Sequence, residues 1–291
     1  MTEVNMIETN AAPLVVARGL SKKYGTKVAL KPTDLEIPKG RIVGIIGANG
    51  AGKSTLLNCI LGLCAYDGEL EVMGMNPLMG RAHLMNDVCF IADVATLPKW
   101  AKIDDLFGWV AGIHPKFDRA KATARVVAAK IPMNAKIKVL SKGMIVQVHL
   151  AIALAIDAKL LVLDEPTLGL DIINRRGFYD AILSEFFDET RTILVTTHQI
   201  DEIEPILSHA VFIKDGVVTL NASLDEVAER FYAIDVMDEK KEKAQALNPI
   251  YSRPLMGRTS MIFDGASAKS LAEFGEPRRV ALADIFVALA S

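Results

Sequence analysis

Nine residues constrain this chain more than any others: Gly47-Ala48-Asn49-Gly50-Ala51-Gly52-Lys53-Ser54-Thr55. Their spacing fits G-x-x-x-x-G-K-[ST]. An apolar run, Arg41 to Ile46, precedes them and reads as a buried strand. A helical pattern opens at Lys53 and is expected to run to Leu63. Strand, glycine loop and helix N-terminus together leave a hollow rimmed by backbone N–H groups. The helix end adds about half a positive charge there. A chain with this unit folds as an α/β protein around a parallel sheet, and its hollow suits phosphate.

The loop residues follow that chemistry. Gly47, Gly50 and Gly52 let the backbone turn tightly and approach phosphate with no Cβ in the way. Asn49, Ala51 and Thr55 complete the cradle. Lys53 is expected on the β- and γ-phosphates, and Ser54 on Mg²⁺.

A second segment narrows the reading. Leu160-Leu161-Val162-Leu163 is an apolar strand that ends in Asp164 and Glu165. Runs of this kind occur in sheets buried on both faces, and ligands collect at the carboxyl ends of such strands. Asp164 is therefore placed on the metal. Glu165 is placed beside the γ-phosphate, where a carboxylate can take a proton from attacking water.

The third segment is Leu140-Ser141-Lys142-Gly143-Met144. With it the chain resembles the ATP-binding subunits of ABC transporters, whose signature reads L-S-G-G-Q. The L-S-K-G-M form resembles a variant in cassettes of the antibiotic- and bacteriocin-exporter type. Tyr24 lies where the family carries an aromatic that stacks on adenine. Leu168-Gly169-Leu170-Asp171 matches its D-loop, and His198, after the strand Thr192–Thr197, its switch histidine. The resemblance covers Leu14 to Asn221.

What the resemblance implies is specific. Two cassettes pair head to tail, as homodimer or heterodimer, with ATP between the P-loop of one and Ser141 and Gly143 of the other. An integral membrane permease, on a separate chain, carries the cargo. The cassette sits on the cytoplasmic face of the membrane. The fold implied is a P-loop NTPase core with a mostly parallel sheet, a small antiparallel β subdomain, an inserted helical subdomain and a C-terminal extension. The expected boundaries are an arm at 1–13, the nucleotide-binding domain at 14–221 with helices at about 97–145, and the extension at 222–291. A soluble ABC-type switch ATPase of translation or DNA repair is the alternative.

Three positions depart from the family. Ala48 replaces its usual proline. Val148 stands close to where many relatives place basic residues. Asp93 ends the strand Val88–Ala92 where the family has the Q-loop glutamine. A carboxylate there also ligates Mg²⁺, and adds a third acid beside Asp164 and Glu165. Asp93 is therefore expected to make catalysis more metal-dependent.

Composition sets the remaining bounds. Apolar residues are 51% and charged ones 23% of 291, a globular balance. Net charge is −2 with a pI near 6.2, which gives no footprint for nucleic acid. No stretch nears the ~20 apolar residues of a spanning helix. Cys59, Cys64 and Cys89 lack metal-site spacing and read as reduced, buried thiols. Between Leu97 and Lys138 the spacing is helical, broken at Pro98, Pro115 and Pro132. Asp104 is expected to cap one helix, and Asp118 to Lys130 to form the next. Trp100 and Trp109 are candidates for the permease-facing surface, or else for the subdomain core. Beyond Asn221, residues 225–231, 238–246 and 279–290 carry helical patterns. The last of these would dock on its own cassette or on a dimer mate.

Overall fold

The computed structural model describes residues 12–92 and 97–290. In chain order its first elements are β1 (Val15–Tyr24), β2 (Lys27–Ile37), β3 (Ile42–Ile46), α1 (Lys53–Ile60), β4 (Asp67–Val72), α2 (Arg81–Leu84) and β5 (Val88–Ile91). There follow α3 (Ile103–Ile113), α4 (Arg119–Ala128), α5 (Lys142–Ala155), β6 (Leu160–Asp164), α6 (Ile172–Glu185) and β7 (Thr192–Thr197). The rest are α7 (Ile200–Ile203), β8 (His209–Lys214), β9 (Val217–Ser223), α8 (Leu224–Arg230), β10 (Phe231–Met237), α9 (Lys241–Gln245), β11 (Tyr251–Leu255), β12 (Arg258–Asp264), α10 (Ala268–Leu271), β13 (Arg278–Arg279) and α11 (Leu282–Ala290).

These elements form two compact units. One takes the described chain up to Arg41 together with Ser54–Val195; the other takes Ile42–Lys53 and everything from Thr196. In the first unit β2, β1 and β4 make an antiparallel sheet, with Val15 opposite both Ile37 and Val72. Strands β5, β6 and β7 lie side by side, and β5 runs parallel to β6 from Val88↔Leu160 to Ile91↔Leu163. Every residue of β6 is buried, so its unbroken apolar run belongs to a sheet covered on both faces.

Helices α3, α4 and α5 pack as a separate group around Phe107, Val126, Ile131 and Val148. Val148 is fully buried there, which explains why an apolar residue stands so close to the signature. Asp118 caps α4 by accepting from the Lys121 N–H at 2.9 Å. Asp104 does not cap α3 as expected. The helix starts at Ile103, two residues earlier than that cap would set it, Lys102 takes the cap position, and Asp104 instead pairs with Arg119 at 2.8 Å. Trp100 and Trp109 lie outside this core. Their rings stand 5.3 Å apart and are 69% and 40% exposed, so they form an outward aromatic pair.

In the second unit β3 runs parallel to β8, and β8 turns back antiparallel into β9. All five residues of β3 are buried. Gly44 lets Leu207 pack close: a Cβ there would stand 2.6 Å from Leu207 Cδ1, and that side chain would have to shift. Farther along the chain β11, β12, β10 and β13 form an antiparallel sheet around Ile234, Val236, Met261 and Phe263. Sequence periodicity did not show this sheet. Its outer strands are weak ones: β11 contains Pro254 and β13 spans two residues. The terminal helix α11 docks within its own unit. Phe286 meets Phe212 of β8 edge-on at 5.5 Å.

Candidate functional site

The second unit holds the phosphate loop. Gly47, Ala51, Gly52 and Lys53 are buried, while Asn49 and Gly50 face outward. Gly50 and Gly52 take φ of +83° and +115°, a region closed to most side chains. Gly47 has no room for one: its Cβ would lie 2.5 Å from the Ile213 carbonyl oxygen. The Gly216 N–H donates to the Ala51 carbonyl at 2.9 Å. Lys53 turns back over the loop and donates from Nζ to the carbonyls of Gly47 at 2.8 Å and Ala48 at 3.4 Å. Ala48 therefore keeps the loop closed without proline. A buried ammonium held on loop carbonyls fits a site for an anion, since its charge remains available to a phosphate that enters the loop.

The first unit holds the acidic side. Ser54 Oγ donates to Asp164 Oδ1 at 3.2 Å, although 110 residues separate them. Asp164 is 8% exposed, at the carboxyl end of β6. A hydroxyl and a buried carboxylate at this spacing are hard oxygen donors, the set Mg²⁺ takes. The next residue, Glu165, is half-buried and left-handed, with φ +46°. For a glutamate that conformation costs on the order of 1–3 kcal/mol and is typical of residues aimed at chemistry. Tyr24 is about half exposed, and its hydroxyl is within hydrogen-bonding reach of Cys64 and Thr55. Partial burial, with the Cys64 thiol adding to it, raises its pKa. The Lys22 ammonium stands 4.9 Å from the Tyr24 ring centroid. Cys59 and Cys89 are buried free thiols as expected, whereas Cys64 is only half-buried.

Ser141 and Gly143 fall elsewhere. They line a cleft with Gln147, Asp171 and Asn174, which Ser54, Thr55, Asp164 and Glu165 do not line. Ser141 caps α5, accepting from the Met144 N–H at 3.2 Å. Asp171 caps α6 in the same way, accepting from the Asn174 N–H at 2.8 Å. His198 is exposed, directly after β7. Asp93 lies outside the described residues.

The comparisons agree with this arrangement. The ABC transporter family model matches residues 30–168. The aliphatic sulfonates import ATP-binding protein SsuB of Corynebacterium glutamicum is 30% identical over 75% of this chain and 87% of its own. This chain belongs to the ABC transporter ATP-binding family. The lantibiotic transport ATP-binding protein SrtF of Streptococcus pyogenes is 28% identical over 77% of this chain and 98% of its own. A solved ATP-binding subunit of an ABC transporter superposes with a TM-score of 0.64 at 21% identity, covering 89% of this chain and 98% of that one. The family's fold, a P-loop core with a mostly parallel sheet, is thus the fold observed, and ATP is the nucleotide the family binds. Among the described residues no helix is long and apolar enough to cross a membrane.

Sequence reasoning missed some partners of these groups. Asn174 lies within 3.5 Å of where a Gly143 Cβ would be, and Ile213 and Gly216 support the phosphate loop. The dipeptide Asp215-Gly216 is of a type that favours a tight turn. Its position under the loop was not legible, because nothing local in sequence links residue 216 to residue 51.

Proposed function

We propose that this chain is the Mg²⁺-dependent ATPase subunit of an exporter whose permease is a separate polypeptide. The observation that carries the reading is the Ser54–Asp164 contact at the end of buried β6. It couples the residue after the P-loop lysine to the acid that the reaction needs. The loop residues Gly47, Asn49, Gly50, Ala51, Gly52, Lys53 and Thr55 cradle the phosphates, and Tyr24 stacks on the adenine. Ser54 and Asp164, with Asp93, would hold Mg²⁺, which when bound would supply positive charge to the phosphates. Water attacks the γ-phosphorus while Glu165 accepts its proton. The bond from the γ-phosphorus to the β–γ bridging oxygen breaks, leaving ADP and phosphate. His198 would hold the γ-phosphate as the family's switch histidine does.

Ser141 and Gly143 lie in a cleft apart from Ser54 and Asp164, which favours their service to the nucleotide of a second cassette. The domain boundaries expected at 14–221 and 222–291 follow the same family plan. The exposed Trp100–Trp109 pair is suited to the permease, since tryptophan is enriched at anchors of interfaces. Export is favoured by the L-S-K-G-M signature and by the likeness to SrtF, a lantibiotic transport protein. The likeness to SsuB, an import protein, makes direction the point to test. Affinity purification from detergent-solubilised membranes is the decisive experiment. A stoichiometric polytopic protein is expected, and vesicles of the complex should move cargo outward. Soluble or ribosomal partners alone would reject the transporter assignment.

A further inference from the structure

The phosphate loop does not stand on β3 alone. Gly47 lies so close to the Ile213 carbonyl oxygen that a Cβ on it would stand 2.5 Å away, and Ala51 accepts from Gly216. Both contacts are made to the end of β8 and its turn. Asp215 and Gly216 have φ of +49° and +75°, and Lys214 pairs with Val217 across them. A two-residue hairpin of this kind leaves the N–H of its second turn residue outside the ladder, available to the loop.

The same strand end is held from beneath by α11. Lys214 Nζ donates to the Ala290 carbonyl at 2.5 Å, a cation on the C-terminal turn of the helix, where the macrodipole favours it. Phe286 packs edge-on against Phe212. At the other end Glu204 Oε1 accepts from the Leu282 N–H at 3.1 Å, an acid on the helix N-terminus. Leu282, Ile285 and Ala288 are buried, which fixes the face that α11 presents. The contacts thus run from α11 through Phe212 and Lys214 to the hairpin, and from the hairpin to Gly47 and Ala51.

We propose that α11 is a positioning element for the nucleotide: it holds the β8–β9 hairpin at the height where the loop's N–H groups meet phosphate. Phe286 and Lys214 are the positioning residues. The inference rests on the P-loop reading above and adds that nucleotide affinity depends on the C-terminal helix. Loop geometry must be held within tenths of an ångström to bind phosphate well, so a slackened support weakens binding before it unfolds anything.

The test uses the full chain, with a fluorescent ATP analogue for Kd, steady-state turnover for KM and kcat, and thermal melting. Phe286→Ala is expected to raise Kd and KM by roughly three- to tenfold, with kcat at saturating ATP within about twofold of wild type. Phe286→Tyr, which keeps the ring contact, is expected to restore wild-type Kd. Lys214→Met keeps the stem, loses the donor and is expected to shift Kd in the same direction by less. If Phe286→Ala fails to fold, Lys214→Met decides by the same readouts. A lowered melting temperature with wild-type Kd would make α11 a plain stabiliser and overturn the proposal. Failure of the unmutated chain to bind the analogue is a separate result, and it overturns the P-loop reading itself.

Discussion

The phosphate loop and the signature loop both lead into a helix, yet they are built differently. In the first, Gly47, Ala51, Gly52 and Lys53 are buried, Lys53 closes the loop on its own carbonyls, and the β8 turn supports it. In the second, Ser141 and Lys142 are exposed, and one cap bond and the side chain of Asn174 support the loop. A loop finished inside its own chain presents its N–H groups already aimed. A loop left open to solvent presents half a site. This difference is what the proposed head-to-tail pair of cassettes would need.

The comparison breaks first at Glu165. Glu165→Gln keeps size and left-handed strain but removes the proposed base. Turnover should fall on the order of 10²–10⁴-fold with ATP binding intact. Wild-type turnover, read by phosphate release, would remove Glu165 from the chemistry.

Acid should reach the signature helix selectively. His149 lies on α5 and is largely buried, and burial pushes its pKa down to about 4. The folded chain then resists a proton that the unfolded chain accepts near pH 6.5. Stability from this residue is intact above that pH, declines as pH falls toward 4, and loses at most about 3 kcal/mol. Denaturant titrations at pH 7 and 4.5 check this, and His149→Leu should flatten the difference.

Ser141 separates capping from phosphate binding. Ser141→Asp keeps a cap of equal quality but puts a carboxylate where the proposed partner's phosphate would sit. Melting should stay unchanged while turnover drops at least about tenfold. Ser141→Ala should instead lower stability by about 1 kcal/mol. If Asp and Ala variants turn over alike, the signature serine is a cap and nothing more.

The smallest effect is expected at Asp93. Replacing it with glutamine should lower the dependence of turnover on Mg²⁺ concentration. An identical Mg²⁺ titration curve would discard the idea that this carboxylate shares the metal.

Legibility in the sequence followed how local each signal is. The P-loop, β6 with Asp164, and the helix that starts near Asp118 are written in contiguous residues, and each was readable. The start of α3 was misread because Asp104 looks like a cap, whereas its carboxylate is engaged by Arg119, fifteen residues away. Strands β10 to β12 went unread for another reason. Asp235 and Pro254 interrupt the alternation, and the pairing of Tyr251 with Ile262 is fixed only when the hairpin closes. At the site, residue types were readable but neighbours were not. Ser54 beside Asp164 and Gly216 beneath Ala51 are contacts made by the fold.

The two poor outer strands of the C-terminal sheet have a colloidal consequence. A proline in β11 removes a backbone donor, and a two-residue β13 offers almost no ladder to a newcomer. Edge-to-edge growth between crowded copies is therefore blocked at both margins. On the β11 side that protection hangs on one ring, so Pro254 is where a single substitution would open the way to aggregates.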